Sequence, residues 1–110
     1  MDCLFCRIAA GEIPSTKIYE DDKVLAFADI APKAPVHVLV IPKAHLDSAA
    51  CVTAENADTV GYIFTVIADI CRRNGWESYR VVTNIGADAG QTVHHLHFHI
   101  LAGRALGEMG

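Results

Sequence analysis

The stretch His95-Leu96-His97-Phe98-His99-Ile100-Leu101 alternates imidazole and apolar side chains. Such alternation predicts a β-strand, because successive side chains of a strand point to opposite faces of its sheet. The apolar side chains would face the core, and the three imidazoles would line the other face, about 6–7 Å apart. We therefore predict a strand over residues 95–101 that presents a row of histidines.

Imidazole chemistry leaves three interpretations of this row. The simplest is a polar strand face, although such faces more often carry Lys, Glu or Thr. The second is a set of metal ligands, since histidine is a common metal ligand. The third is a nucleophile with histidine helpers. Imidazole has a reference pKa of about 6.5, so near pH 7 it attacks an electrophile without an activating base.

The composition is that of one small domain. The chain has 110 residues, of which 52% are hydrophobic and 20% charged, and its formal net charge is −4. This length fits a single domain over residues 1–110 with one buried core, and the apolar fraction argues against disorder. The acidic balance makes nucleic acid and anionic membrane surfaces poor partners.

The termini and thiols indicate a cellular location. No segment approaches the roughly 18 consecutive apolar residues of a membrane span. The N-terminal residues Met1-Asp2-Cys3-Leu4-Phe5-Cys6-Arg7 place an acid early and lack a basic signal-peptide region. We therefore expect a cytoplasmic protein, whose four cysteines are metal ligands or core residues rather than disulfides.

Periodicity and turn residues predict the remaining elements. Strands are expected over residues 17–20, 24–29, 36–41 and 79–83, of which the third is nearly continuous in apolar residues, as central strands are. Apolar residues at three- and four-residue spacing predict a helix over about residues 54–74, with Thr53 as its N-cap. Strands, one long helix and strands again indicate an α+β fold with a mainly antiparallel sheet.

The histidine row matches a known signature. His-φ-His-φ-His-φ-φ, with φ apolar, marks the histidine triad (HIT) family, and residues 95–101 match it at every position. The ending Leu101-Ala102-Gly103-Arg104 favours the Hint branch over the Fhit branch, which tends to have proline after the triad. The resemblance implies a HIT-like fold, with a five-stranded sheet, one long helix and a short N-terminal helix. Other stretches that resemble Hint proteins are Glu12-Ile13-Pro14, Leu25-Ala26-Phe27, Asp29-Ile30-Ala31-Pro32, Ala34-Pro35-Val36-His37, Val40-Ile41-Pro42-Lys43-Ala44-His45, Asn84-Ile85-Gly86 and Gly90-Gln91-Thr92-Val93.

The resemblance also implies an activity. Hint-type proteins hydrolyse purine nucleoside 5′-phosphoramidates, such as adenylated amines, through a covalent nucleotidyl-histidine. His97, the central triad residue, would be the nucleophile. His99 would hydrogen-bond the phosphate and the leaving-group side, and His37 matches a fourth histidine of the same proton network. Water would then release the nucleotide in a second displacement.

A nucleotide-binding site is implied by the same resemblance. Asn84 and Thr92 match residues that contact phosphate, and the glycine-loosened backbone of Gly90-Gln91-Thr92 suits the approach of phosphate oxygens. Asp29 matches the residue that holds the ribose hydroxyls, where a carboxylate accepts two hydrogen bonds. The matching nucleobase pocket is apolar and consists of Leu4, Phe5, Ile8, Phe27 and Ile30. Structural alternatives stay open: Phe27 and Ile30 as core, Asp29 as a turn acid, Asn84 as a loop cap and His37 as a core histidine.

The pair Cys3-Leu4-Phe5-Cys6 is half of a zinc site. Galactose-1-phosphate uridylyltransferases and many bacterial HIT proteins complete such a pair with two histidines, which match His45 and His95. The resemblance thus implies a structural zinc on Cys3, Cys6, His45 and His95 that leaves the other triad residues free for chemistry. The alternative is two free thiols, since animal Hint proteins lack these cysteines and fold without metal.

Two departures and several alternatives complete the picture. Ala28 stands where Hint proteins often have histidine, and the chain continues only briefly after Arg104, which leaves the leaving-group preference open. The alternative functions are a dinucleoside polyphosphate hydrolase and a nucleotide- or zinc-binding scaffold with vestigial activity. The resemblance further implies a homodimer, formed through the long helix and the strand before the triad loop. His94, Cys51 and Cys71 receive no chemical role.

Overall fold

The structure, a computed structural model, describes residues 3–109. A short helix α1 (Leu4–Ala9) precedes the strands β1 (Lys17–Glu20), β2 (Val24–Ala28) and β3 (Val36–Pro42). The long helix α2 (Ala57–Arg73) follows, and the strands β4 (Tyr79–Val82) and β5 (Phe98–Ala102) complete the chain. Two 3₁₀ turns, Ala49–Cys51 and Ala87–Ala89, lie in the connections. None of the described helices has the length and apolarity needed to cross a membrane.

The five strands form one antiparallel sheet in the order β1-β2-β3-β5-β4. Strand β3 lies at the centre, and all of its residues after Val36 are buried. The predicted α+β fold, with a five-stranded antiparallel sheet, one long helix and a short N-terminal helix, is therefore confirmed. Its central strand is the one that the apolar run predicted.

Each face of the sheet is covered by a different helix. The face that meets α2 buries residues such as Val38, Ile67 and Phe98 in one apolar cluster. The opposite face meets α1 and buries a second cluster that includes Phe5, Phe27 and Leu39. Because strand side chains alternate between faces, every second residue of β3 and β5 lies on the α1 side. That side carries the candidate functional residues.

The histidine strand starts later than predicted. Strand β5 begins at Phe98, because the ladder with β3 ends at the pair Val40–Phe98. Before it, the chain bonds to the loop after β3 instead: Leu96 N–H donates to the Leu46 carbonyl at 2.6 Å. The predicted division into two faces nevertheless holds. Leu96, Phe98 and Ile100 enter the cluster under α2, whereas His95 and His97 both contact Phe5 of α1.

Other boundaries differ from prediction at element ends. Helix α2 begins at Ala57 rather than near residue 54, and its N-cap residue is Asn56 rather than Thr53. The Asn56 side chain instead accepts a hydrogen bond from Thr53 N–H at 2.7 Å and closes a turn before the helix. Strand β2 ends before Asp29, whose carboxylate accepts a hydrogen bond from Ala31 N–H at 2.8 Å and begins the next turn.

Candidate active site and metal centre

His37 and His99 meet on the α1 side of the sheet. They come from the adjacent strands β3 and β5, and the register pairs Leu39 with His99 and His37 with Leu101. His37 Nε2 lies 2.8 Å from His99 Nδ1, although the two residues are 62 positions apart in sequence. Antiparallel pairing therefore brings together two imidazoles that the sequence only suggested as partners.

A chain of hydrogen bonds assigns the proton on each of these rings. The backbone N–H of Lys33 donates to His37 Nδ1 at 3.0 Å, so the His37 proton resides on Nε2. That Nε2–H donates to His99 Nδ1, and Asp29 Oδ2 lies 3.4 Å from the same nitrogen. His99 must then carry its proton on Nε2, which has no partner among residues 3–109.

The electrostatics of the site keep these rings neutral. Burial, together with the neighbouring His97 and His37, lowers the pKa of His99 to about 4. Burial also lowers the pKa of His37. The Asp29 carboxylate acts against this shift, and the Lys33 ammonium adds to it. Both imidazoles are therefore uncharged near pH 7, as the hydrogen-bond chain requires.

His97 presents an unprotonated ring nitrogen. Its Nδ1–H donates to the carbonyl oxygen of His95 at 2.7 Å, so Nε2 keeps its lone pair. No partner of this Nε2 occurs in the described part of the chain. The edge-to-face contact with Phe5, at 5.0 Å between ring centroids, holds the imidazole plane. A neutral imidazole in this tautomer is a competent nucleophile.

Two cavities adjoin His97 and His99. The apolar cavity has a volume of about 420 Å³, and the polar cavity has a volume of about 400 Å³. Both are also lined by Asp29 and Thr92, so the two cavities are neighbours that share the two histidines as part of their walls. The apolar cavity is further lined by Leu4, Phe5, Ile8, Ile13, Pro14, Ser15, Phe27, Ala28, Ile30, Leu39 and Val93. The polar cavity is further lined by Ala31, Lys33, His37, Val82, Asn84, Gly90 and Leu101.

The structure brings together nearly all of the site residues that the sequence suggested. The five apolar candidates line the apolar cavity, but Ile30 is fully exposed at its rim rather than buried. Gly90 lies beside Asn84 with φ of 100°, a backbone conformation that favours glycine. Phe27 is both core and cavity wall, so its place in the core is compatible with the predicted contact to a nucleobase.

Gln91 is the candidate that lines neither cavity. Its side chain is buried and donates to the carbonyls of Asp47, at 2.7 Å, and Val93, at 3.1 Å. Its amide oxygen accepts a hydrogen bond from Gly86 N–H at 2.9 Å. The side chain therefore shapes the loop that carries Gly90 and Thr92.

Sequence reasoning missed Lys33 and Ser15. Lys33 lines the polar cavity, and Ser15 lines the apolar one with a buried hydroxyl that has no hydrogen-bond partner among the described residues. Neither residue stands out by pattern. The one available signal was the position of Lys33 in the loop before His37.

Cys3, Cys6, His45 and His95 form a second cluster, in which one donor atom of each residue lies within 4.8 Å of the others. The two Nδ1 atoms are 3.2 Å apart, and the sulfur–Nδ1 distances are 3.3 Å for Cys3–His95 and Cys6–His45. Tetrahedral zinc bonds of about 2.1 Å to nitrogen and 2.3 Å to sulfur imply separations of about 3.4 and 3.6 Å. The cluster is thus close to the size of such a centre and can hold a metal ion.

The protons in this cluster also suit a metal. His95 Nε2–H donates to the Pro42 carbonyl at 2.8 Å, and His45 Nε2–H donates to Asp47 Oδ1 at 2.6 Å. Both Nδ1 lone pairs therefore face the thiols, with the outer hydrogen bonds that metal-binding histidines make. Burial and the neighbouring Cys3 raise the pKa of the Cys6 thiol, so a thiolate there needs a cation beside it.

Asp29, His37 and His99 also cluster within 4.8 Å of one another. Their protonation differs from that of the cysteine cluster, because the Lys33 N–H occupies His37 Nδ1 and leaves the proton on Nε2. A metal ligand must offer that nitrogen unprotonated. This group is therefore suited to hydrogen bonding rather than to metal binding.

Comparison with known proteins places this arrangement in context. The HIT domain family matches residues 10–106 of the chain. The purine nucleoside phosphoramidase of Escherichia coli K12 is 41% identical, over 98% of this chain and 92% of its own length. A histidine triad protein from Clostridium difficile has a structure with a TM-score of 0.96, at 52% identity, over 100% of this chain and 97% of that one. A HIT family hydrolase from Clostridium thermocellum has a TM-score of 0.94, at 43% identity, over 98% and 96% of the two chains.

Proposed function

Because this chain belongs to the HIT family of hydrolases, we propose that it hydrolyses purine nucleoside 5′-phosphoramidates through a nucleotidyl intermediate on His97. The observation that supports this most is the position of His97. Its Nε2 is unprotonated. The ring lines both an apolar cavity large enough for a nucleobase and the polar cavity. The name of the Escherichia coli relative agrees with this chemistry.

The first step is an in-line displacement at the α-phosphorus. His97 Nε2 donates its lone pair to phosphorus, the bond from phosphorus to the amine nitrogen breaks, and the amine takes up a proton from water as it leaves. The Nε2–H of His99 would donate to a phosphate oxygen in this step. Because His37 holds His99 in that tautomer, the donor is oriented before the substrate arrives.

The second step regenerates the enzyme. A water molecule attacks the same phosphorus, the bond from phosphorus to His97 breaks, and the water releases its proton to solvent. The nucleoside monophosphate then leaves. The same donors serve both displacements, because the charge develops on the same phosphate oxygens in each.

Binding of the nucleotide would use both cavities. The purine ring would lie in the apolar cavity against Phe5 and Phe27, whose rings pack edge to face on each other with centroids 5.6 Å apart. Asp29 would accept hydrogen bonds from the ribose hydroxyls, which its position in the lining of both cavities supports. Asn84, Gly90 and Thr92 would contact the phosphate.

We further propose that Cys3, Cys6, His45 and His95 hold a structural zinc. The donor set and the tautomers of both histidines support this choice over a harder cation. A metal bound there would cross-link α1 to the loops before α2 and β5. No step of the reaction passes through it.

We also propose a homodimer in the cytoplasm. Strand β4 lies at the edge of the sheet, so one side of its backbone is open to pairing, and α2 exposes Phe64, whose ring contacts Phe98 of the adjacent strand β5. Within residues 3–109 all cysteines are free thiols, as a reducing compartment would keep them. Light scattering should give twice the chain mass of 11.9 kDa, and a mass of one chain would contradict the dimer.

The test of the activity is to trap the intermediate. The protein should release an amine from an adenosine 5′-phosphoramidate, and rapid quenching in alkaline denaturant, in which the acid-labile bond from phosphorus to histidine survives, followed by mass spectrometry should place one adenylyl group on His97. An adduct on another residue, or turnover without any adduct, would overturn the mechanism. An absence of turnover would overturn the activity.

A further inference from the structure

The polar cavity has a cation at one end. Lys33 lines it together with His37, Val82 and Leu101, and its ammonium is close enough to disfavour protonation of His37. The backbone of Lys33 is held on both sides. Its N–H donates to His37 Nδ1, and its carbonyl accepts a hydrogen bond from Arg104 at 2.9 Å. The Lys33 side chain therefore extends from a backbone that two hydrogen bonds hold in place near the histidines.

A second cation lies on the same face of the sheet. Arg80 of β4 pairs in register with Leu101 of β5, and Leu101 pairs in turn with His37 of β3. Paired residues of adjacent strands point to one face, so the half-buried Arg80 lies in the same row as His37. One of its guanidinium nitrogens donates to the Gly107 carbonyl at 2.8 Å, and its other N–H groups have no acceptor within residues 3–109.

These cations are not neutralised within residues 3–109. No carboxylate in that range lies within ion-pair distance of Lys33, Arg80 or Arg104. The acid that lines the cavity, Asp29, lies 3.4 Å from His37 Nε2 and is shared with the apolar cavity. A chain with a net charge of −4 therefore carries unpaired positive charge on Lys33, which lines the polar cavity, and on Arg80 and Arg104, which lie outside its lining.

We propose that Lys33 and Arg80, here called the Lys33–Arg80 patch, bind an anionic oxygen on the leaving group of the substrate. This inference rests on the proposed function, which assigns the nucleobase to the apolar cavity and so directs the leaving group to the opposite end. Guanidinium and ammonium groups both bind carboxylate and phosphate oxygens. The favoured substrates are thus phosphoramidates whose amine carries a carboxylate or a phosphate-like group.

The test compares three substrates of nearly equal size. Adenosine 5′-phosphoramidates of glycine, of aminomethylphosphonate and of glycinamide offer a carboxylate, a phosphonate and a neutral amide. In the wild-type protein the anionic substrates should have a kcat/KM about fivefold or more above that of the amide, as a partly exposed charge pair provides. Comparison of the glycine and aminomethylphosphonate substrates shows whether the patch prefers a carboxylate or a phosphonate.

Variants connect the preference to the patch. In Lys33→Gln and Arg80→Gln the ratio of anionic to neutral kcat/KM should fall towards one. In Lys23→Gln, which changes a lysine that lies over the Tyr62 ring away from both cavities, the ratio should be retained. Each variant is compared with wild type on the same substrates, so differences in amine basicity cancel. Added salt should lower the wild-type ratio.

The outcomes separate this inference from the activity itself. Equal kcat/KM for all three substrates, or a preference that survives both substitutions, would overturn the Lys33–Arg80 patch and leave the phosphoramidase proposal standing. Hydrolysis of none of the three would overturn both. A preference for one anionic substrate that disappears in either variant would support the patch and identify the group it binds.

Discussion

The carbonyl oxygen of His95 lies 2.7 Å from Nδ1 of His97 and accepts a hydrogen bond from its N–H. The same His95 offers its ring Nδ1 to the thiols of Cys3 and Cys6, at 3.3 and 3.4 Å. One residue therefore belongs to the proposed metal centre through its side chain and sets the tautomer of the proposed nucleophile through its backbone. The two sites therefore share His95.

Replacement of His97 tests the nucleophile. His97→Ala should lower kcat by about a thousandfold or more, because no other group supplies the covalent step. Binding of nucleoside monophosphate, measured by calorimetry, should survive within a few-fold. The matched control is His94→Ala, since His94 is exposed and lines neither cavity. Full activity in the His97 variant would contradict its role.

Removal of the metal should affect both stability and turnover. Protein purified without chelator should contain about one zinc per chain, and Cys6→Ser should lose it and lower the Tm by more than about 10 °C. Because His95 also orients His97, kcat should fall at temperatures where the variant is still folded. Cys51→Ser changes an exposed thiol outside the cluster and should leave the metal content and the Tm unchanged. A metal content below a tenth of an equivalent would count against the site.

The buried state of His99 predicts a dependence of stability on pH. Its pKa is about 4 in the folded chain against an ordinary value of 6.5, so between these values the unfolded chain binds more protons. The contribution of His99 to the free energy of unfolding is therefore complete above about pH 6.5 and is lost as the pH falls towards 4. Urea unfolding of His99→Gln should show a shallower decline over this range than wild type.

The control for this measurement is His94→Gln, which removes an exposed imidazole and should keep the wild-type slope. The other acid-sensitive groups, including the proposed metal ligands, are common to all three proteins. The difference between the curves therefore isolates His99. A decline as steep in His99→Gln as in wild type would mean that the ring is solvated like a free histidine.

Gly103 holds the turn after β5 against the loop before β3. Its φ is 97°, and a Cβ atom at this position would lie 2.8 Å from Cβ of Pro35. Gly103→Ala should therefore cost about 2 kcal/mol or more in unfolding free energy, from backbone strain and the clash together. Gly107→Ala is the matched control, since no atom in the described part of the chain lies within 4 Å of its added Cβ. Equal Tm values for the two variants would show that the Pro35 contact relaxes at no cost.

Local periodicity predicted which side of each element a residue occupies. The alternation in residues 95–101 placed three apolar side chains under α2 and the histidines opposite them, even though β5 itself begins at Phe98. The alternation predicted the first residue of β5 wrongly, because Leu96 N–H bonds to the Leu46 carbonyl rather than to a neighbouring strand. The start of α2 was missed for a similar reason, since Asn56 closes a turn that delays the helix.

The sequence by itself determined the chemistry that this protein carries: the triad, the Cys-x₂-Cys pair, the acidic balance and the α+β order of elements. Those properties depend on residue type and short spacing, which are local. The tertiary structure decided the rest. Only packing brings Cys3 to His95 and His37 to His99, turns Gln91 away from the cavities, places Lys33 at the polar cavity and puts Arg80 in the same row of the sheet as His37. The tautomers of the histidines also depend on the tertiary structure, because each is set by a donor or acceptor that the fold places beside the ring.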